Sequence, residues 1–288
     1  MASVAIIGFG EVGSIFARDL AAKGADVTAY DVAPAAQARV GGMGRATPHE
    51  AVAPASVVFV AVTAGSVLEA MRSLEGGLAH APLVVDVNSV SPATKQDAGR
   101  VIEAAGGRYV EAAVMASVPP KGLGTPMLLG GPHTAAFIEA MAPFGMDLTE
   151  YAREIGRASS VKMCRSIMIK GLEALTTECM LSARHYGVEA DVLRTLGETL
   201  PHPDWPGLAR YVISRALIHG KRRAEEMREV AVTVTDAGVE PLMTRAIVER
   251  QEWAWRRGAA MGEARNAPQL EKLLDALTAA AGLPKAAE

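Results

Sequence analysis

The residues best spaced for chemistry stand near the start of the chain. Gly8-Phe9-Gly10-Glu11-Val12-Gly13 is a G-x-G-x-x-G run that directly follows the apolar segment Ser3–Ile7. The first glycine permits a tight turn, the second lets a diphosphate approach the backbone, and the third lets the following helix pack on the preceding strand. Exposed N–H groups and the dipole at that helix start favour phosphate. Asp31 closes the next strand-like run, eighteen residues after Gly13, where an acid can accept hydrogen bonds from an adenosine ribose. This spacing predicts a dinucleotide site. A carboxylate at Asp31 repels a 2′-phosphate, and Val32-Ala33-Pro34 offers no arginine to hold one. NAD is therefore favoured, with Arg39 and Arg45 close enough in sequence to keep NADP possible.

A second candidate lies on a long helical segment, Ser159–Tyr186. At 100° per residue, Arg165, Lys162, Glu173, Ser166, Thr177 and Lys170 fall within one stripe of about 140°. Val161, Cys164, Ile167, Met168, Leu172, Leu175 and Cys179 occupy most of the remainder. This pattern predicts a largely buried helix with one wet seam. A lysine in such a seam suits general acid–base work when partly desolvated, and the plainer account is a solvated face with Lys170 and Glu173 paired at i,i+3. On a later helix Arg215, His219, Arg222 and Glu226 share a face, with Arg223 at its edge. His219 and the arginines could hold a carboxylate or phosphate; the alternative is a solvated face with pairs such as Arg222–Glu226 and Lys221–Glu225. Trp253 and Trp255 are two apart on a helix and face opposite ways, which reads as packing.

The elements that must position these groups fall into two halves. In the first, strands at Ser3–Ile7, Asp26–Tyr30, Ser56–Val62, Leu83–Val87, Tyr109–Ala113 and Met127–Leu129 alternate with helical patterns at Val12–Lys23, Ser66–Leu74 and Pro92–Ala105. Such β-α repetition implies right-handed crossovers and a mostly parallel, doubly wound sheet. After about Thr149 no convincing strand follows. Helical segments are predicted at Ala190–Leu196, Leu208–Asp236, Pro241–Arg257 and Ala267–Ala281, with Pro201, Pro203 and Pro206 marking a loop. The expected fold is an α/β Rossmann domain over residues 1–152 and an all-α domain over residues 153–288, with the site in the crevice at the carboxyl ends of the strands.

Composition narrows the classes. Lys plus Arg number 29 and Asp plus Glu 32 in 288 residues, so no broad charge favours nucleic acid or an anionic membrane. No apolar run is long enough for a membrane span, and the early glycine turn leaves no room for a signal peptide; a cytoplasmic location is expected. Cys164 and Cys179 lie about 22 Å apart along one helix, too far to bond within a chain, and are expected to pack as small buried apolar groups. Two distant cysteines give no metal signal, and no metal is expected.

The chain resembles the β-hydroxyacid dehydrogenase and 6-phosphogluconate dehydrogenase superfamily over nearly its whole length. The resemblance rests on GFGEVGSIFARDLAAKGADVTAYD, VVDVNSVSPATK at Val84–Lys95, EAAVMAS at Glu111–Ser117, TPMLLGGP at Thr125–Pro132 and GRASSVKMCRS at Gly156–Ser166. Lys162 matches the family's catalytic lysine. Ser166 stands where the family has Asn, and Met115-Ala116-Ser117 stands where it has S-G-G. The C-terminal half, with KGLEAL at Lys170–Leu175 and HGKRRAEEMREVA at His219–Ala231, is similar to a less characterised branch with a 6-phosphogluconate-dehydrogenase-like C-terminal domain.

The resemblance implies an NAD(P)-dependent oxidoreductase acting on the alcohol or carbonyl of a small, polar, hydroxyacid-like substrate, with Lys162 as general acid/base. It implies substrate contacts from Met115 and Ser117, with Ser166, Lys170, His219 and Arg222 kept as further candidates. Val62, Thr63, Asn88 and Ser89 are expected to face the cofactor together with Gly8–Gly13 and Asp31. A homodimer through the helical half is expected. Two other readings stay open: an imine or ketone reductase on the same architecture, against which Lys162 argues, and a non-catalytic dinucleotide-binding protein.

Overall fold

Alternation of apolar side chains builds the first half of the molecule. The computed structural model describes residues 2–200 and 202–283 and divides between Cys164 and Arg165 into two compact units. In the first unit, β1 (Ser3–Ile7), α1 (Glu11–Ala22), β2 (Asp26–Tyr30), α2 (Pro34–Gln37), α3 (Pro48–Val52), β3 (Val57–Val60), α4 (Val67–Arg72), β4 (Leu83–Asp86), α5 (Pro92–Ala104) and β5 (Arg108–Val114) follow one another. A short α6 (Val118–Lys121), β6 (Met127–Gly130), α7 (Thr134–Met141) and β7 (Leu148–Ala152) complete the sheet. The strand order is β2-β1-β3-β4-β5-β6-β7. All pairs are parallel except β5 with β6.

Each central strand is buried on both faces. On β3, Val57 and Phe59 join one apolar layer with Phe16, Leu20 and Phe137. Val58 and Val60 join the other with Met71, Ile102 and Tyr109. A continuous apolar run is what a doubly covered parallel strand requires. The order reverses at β1, which pairs with β2 on one side and β3 on the other. The crevice outside the carboxyl ends of the strands at that point is the standard ligand position in open α/β sheets.

The sequence reading missed β7. Its burial pattern is intermediate only at Leu148 and Ala152, with Thr149, Glu150 and Tyr151 exposed. It is a polar edge strand held by backbone pairing to β6, so it carries no apolar signal.

The helix α8 (Arg157–Tyr186) runs from the first unit into the second, where α9 (Glu189–Thr199), α10 (Trp205–Asp236), α11 (Leu242–Met261) and α12 (Leu270–Ala280) follow. The sequence reading began α10 at Leu208 because of its prolines. Pro206 instead sits in the first turn, where its missing N–H costs nothing, and the Asp204 carboxylate caps the helix by accepting from Gly207 N at 2.8 Å. Pro201 lies outside the described residues. Helices α10 and α11 approach backbone to backbone. A Cβ on Gly220 would stand 2.3 Å from Gln251 O, and one on Gly258 would stand 2.4 Å from Leu217 O. Ile213, Leu217, Ala254, Leu273 and Leu277 form the core of this unit. No helix of the described residues is long and apolar enough to cross a membrane.

Two expectations for α8 are corrected. The polar seam is the buried side: Ser166 is 5% exposed, Glu173 2% and Thr177 0%, whereas Met168 is 65% exposed, Leu172 41% and Leu175 58%. Cys164 and Cys179 are likewise exposed. The reason is that the seam finds charged partners on α10, which satisfies it without water, while Met168, Leu172 and Leu175 are left exposed among the described residues.

Candidate dinucleotide and lysine site

The turn after β1 is shaped by its glycines. Gly8 has φ +95°, and a Cβ there would stand 2.4 Å from Ala61 O; one on Gly13 would stand 1.9 Å from Gly8 O. Neither position admits a side chain. Gly10 is different: nothing lies within 4 Å of where its Cβ would be, and it begins α1 without a side-chain cap. The open space over Gly10 and the uncapped helix start form a cradle for an anionic group. Phe9 is buried below the turn, and Glu11 and Val12 open the helix.

Asp31 follows β2 and faces this turn. One carboxylate oxygen accepts from Phe9 N at 2.6 Å and the other from Ala33 N at 2.8 Å. Each oxygen keeps a further lone pair for a ligand hydroxyl. Arg39 donates to Phe9 O at 3.3 Å and to Ala35 O at 2.9 Å, and Arg45 donates to the carbonyls of Met43 and Gly44.

The carboxyl ends of β3 and β4 are tied together. The Asn88 Oδ1 accepts from Val62 N at 2.7 Å, and its Nδ2 donates to Val60 O at 3.1 Å and to Asp86 Oδ1 at 2.7 Å. Its side chain is thus engaged by the protein on every polar atom. Thr63 Oγ1 and Ser66 Oγ are 3.0 Å apart. The next residue along, Ser89, accepts from Lys162 Nζ at 2.5 Å. Lys162 and Ser89 are both half-buried. The structure therefore brings the lysine to Ser89, 73 residues earlier in the chain, at the strand end that also carries Asn88. Met115 and Ser117 stand on the segment after β5; Met115 N donates to Pro126 O at 2.9 Å, and Ser117 is exposed.

Four fully buried residues stand beside this site that the sequence pattern did not single out: Asp86, Lys95, Tyr109 and Glu111. Lys95 Nζ lies 3.0 Å from Asp86 Oδ1 and donates to Asp86 O at 2.8 Å, and Tyr109 OH donates to Asp86 Oδ2 at 2.9 Å. Burial first, then Asp86 and Glu111, push the Tyr109 phenol up from its ordinary value, so it stays a donor. The available signal was a single carboxylate inside each apolar strand, in VVDV and YVEAAV.

In the second unit the seam closes on itself. Lys170 Nζ donates to Ser166 Oγ at 3.1 Å and lies 3.2 Å from Glu226 Oε2. Arg222 donates to Glu226 Oε1 at 2.7 Å. Arg223 pairs with Glu173, which also accepts from Gln251 Nε2 at 2.9 Å. The i,i+3 pairing of Lys170 with Glu173 is therefore replaced by partners on α10 and α11. Arg215 lies 2.8 Å from His219 Nε2. Guanidinium only donates, so that ring nitrogen is the acceptor and His219 is neutral. Burial, and then Arg215, Arg222 and Arg223, hold its pKa down at about 4. Lys221 stands over the Trp255 ring, and Arg250 and Arg257 over that of Trp253.

A seven-stranded, mostly parallel sheet with a glycine turn and a terminal acid defines a Rossmann-type dinucleotide-binding fold. Residues 3–150 match the NAD binding domain of 6-phosphogluconate dehydrogenase, and residues 183–254 match a domain of unknown function, DUF1932. The chain belongs to this 6-phosphogluconate-dehydrogenase-like family of NAD(P)-binding, hydroxyacid-dehydrogenase-like oxidoreductases. It is similar to a conserved hypothetical protein from Sinorhizobium meliloti 1021, with 33% identity, 97% of each chain covered and a TM-score of 0.75. A 3-hydroxyisobutyrate dehydrogenase from Pseudomonas aeruginosa is 24% identical over 215 residues, 71% of this chain and 72% of that one. The Mycobacterium tuberculosis 3-hydroxyisobutyrate dehydrogenase shares the fold, with 18% identity, 96% and 99% coverage and a TM-score of 0.68.

Proposed function

We propose that the protein is an NAD-dependent oxidoreductase acting on the alcohol or carbonyl of a small, polar, hydroxyacid-like substrate, with Lys162 as general acid/base. The observation that carries this reading is the Lys162–Ser89 hydrogen bond of 2.5 Å at the carboxyl end of β4. The open cradle over Gly10 suits a dinucleotide's diphosphate. In this reading Gly8–Gly13 hold the diphosphate, Asp31 the adenosine ribose, and Val62, Thr63 and Ser89 border the nicotinamide end, with Asn88 fixing their spacing. Asp31 favours NAD over NADP by charge. A bound nicotinamide would supply the hydride chemistry.

The chain's own part is proton handling. Lys162 takes the substrate hydroxyl proton during oxidation and returns one to the oxygen during reduction. Ser89 accepts from Nζ, a bond that the neutral amine needed for oxidation and the ammonium needed for reduction can both make, and so fixes its position. Ser117 and the backbone at Met115 orient the substrate. Ser166 and Lys170 follow Lys162 at i+4 and i+8 on the same helix, and within the second unit Ser166, Lys170, His219 and Arg222 are kept as candidate contacts for an acidic group. An acidic substrate group would compete with Glu226 for Lys170 and Arg222. We place a second copy of the chain against Met168, Leu172 and Leu175, because exposed apolar stripes of this kind mark association surfaces. A Leu175→Glu variant should then elute as a monomer where the wild type elutes as a dimer.

The test is a cofactor titration by NADH and NADPH fluorescence, followed by an absorbance screen of hydroxyacids, polyols, aldehydes and imines with the preferred cofactor. NADH binding with turnover of a hydroxyacid supports the reading. Turnover of imines that survives Lys162→Ala would replace it with a reductase in which the lysine is a bystander. Cofactor binding with no turnover across the panel would leave a binding protein.

A further inference from the structure

Two buried carboxylates occupy paired positions on adjacent strands. Asp86 on β4 and Glu111 on β5 are register partners, and both are 0% exposed. Each is directed at a different half of the Ser89–Lys162 pair. Asp86 accepts from the backbone N of Asn88 at 2.9 Å and from Asn88 Nδ2 at 2.7 Å. Lys95 lies on the same oxygen, and Tyr109 donates to the other. Asp86 therefore fixes the residue immediately before Ser89.

Glu111 works from the other side. Its Oε2 accepts from Gly156 N at 2.6 Å and its Oε1 from Ser159 N at 2.5 Å, where α8 begins. A carboxylate on two orphan donors of a helix start is a cap, supplied here by a strand 45 residues earlier rather than by a local side chain. Lys162 lies three residues beyond Ser159, about 60° from it around the helix. Pinning Ser159 N thus sets the rotation at which Lys162 meets Ser89. Room for the carboxylate comes from Gly130 on β6, where a Cβ would stand 2.4 Å from Glu111 Oε2.

We infer that Glu111 is a positioning residue for Lys162, matched by Asp86 for Ser89, and that the registered pair sets the geometry of the lysine. The inference rests on the proposed role of Lys162. It predicts that moving the Glu111 carboxylate disturbs the lysine without disturbing dinucleotide binding.

Two variants test it by different routes. Glu111→Gln removes the charge and turns one acceptor into a donor. Gly130→Ala leaves Glu111 unchanged but drives its carboxylate from its seat. The first readout is the side-chain resonance of Lys162 in protein labelled with 15N at lysine Nζ, assigned by its loss in Lys162→Arg. The second is the split between kcat and KM on whichever substrate the screen yields. Both variants should bind NADH within about twofold of wild type, shift or broaden the Lys162 signal, and lower kcat about tenfold or more, since misplacement near 1 Å costs up to about a hundredfold. A Lys162 signal and kcat unchanged in either variant that binds NADH normally would overturn the inference. A moved signal together with full turnover in Lys162→Ala would uphold the positioning geometry and reject the catalytic role of the lysine, so the two failures are separable.

Discussion

The two units bury charge for different ends. In the first, Glu111 spends both oxygens on backbone N–H groups at Gly156 and Ser159, and Asp86 holds the backbone N–H of Asn88 beside the side chains of Asn88, Lys95 and Tyr109. In the second, Glu173 and Glu226 spend theirs on Arg223, Gln251, Lys170 and Arg222, so the charges neutralise one another. A carboxylate that grips backbone specifies where a neighbouring side chain stands. A carboxylate that grips side chains specifies which helices pack. The first arrangement suits the proposed Lys162 site, and the second holds helices together.

The largest stability effect should come from the second arrangement. Glu173→Ala leaves Arg223 and Gln251 buried without their partner, and it should cost about 3–5 kcal/mol in urea unfolding. Replacing both members, Glu173→Leu with Arg223→Met, should recover part of that loss, with Gln251 still lacking its acceptor. If the double variant were as unstable as the single one, the seam would be doing more than neutralising charge.

A smaller effect is expected at Asp31. Asp31→Ala removes acceptors for Phe9 N and Ala33 N as well as for the ribose, and NADH affinity should fall about tenfold. An unchanged dissociation constant would remove Asp31 from the dinucleotide site. NADPH preferred by the wild type would mean that Arg39 or Arg45 outweighs it.

The smallest effect is a pH dependence. The His219 pKa is held at about 4 against an ordinary 6.5. Between those values the unfolded chain binds a proton that the folded chain does not. The stability tied to neutral His219 is therefore complete above pH 6.5 and is lost as the pH falls towards 4. Melting temperatures of His219→Gln should fall less steeply across that window than those of the wild type. Parallel curves would show that burial and the neighbouring arginines do not lower the His219 pKa in the folded chain.

Legibility followed the same division. Strands β1 to β5 were readable because burial on both faces leaves a run of apolar residues, and the glycine turn because close backbone contacts exclude any side chain. Strand β7 was not, since backbone pairing alone holds it at the sheet edge. The long helices were readable by period, but the buried side of α8 was not. Amphipathic patterning assumes that the apolar face turns inward, and here partners 50 residues away on α10 draw the polar seam in instead. The Lys162–Ser89 contact spans 73 residues and follows from topology rather than from any local spacing. Glu111 was visible only as an acid in an apolar strand, with nothing local to say that it would cap a helix.

The central claim, that Lys162 serves chemistry and not cohesion of the first unit, is tested most directly by Lys162→Ala in a paired measurement of NADH binding and turnover. The account predicts NADH affinity within a few-fold of wild type and turnover lower by about a hundredfold or more. Loss of both together would make Lys162 structural, and retained turnover would remove it from the reaction.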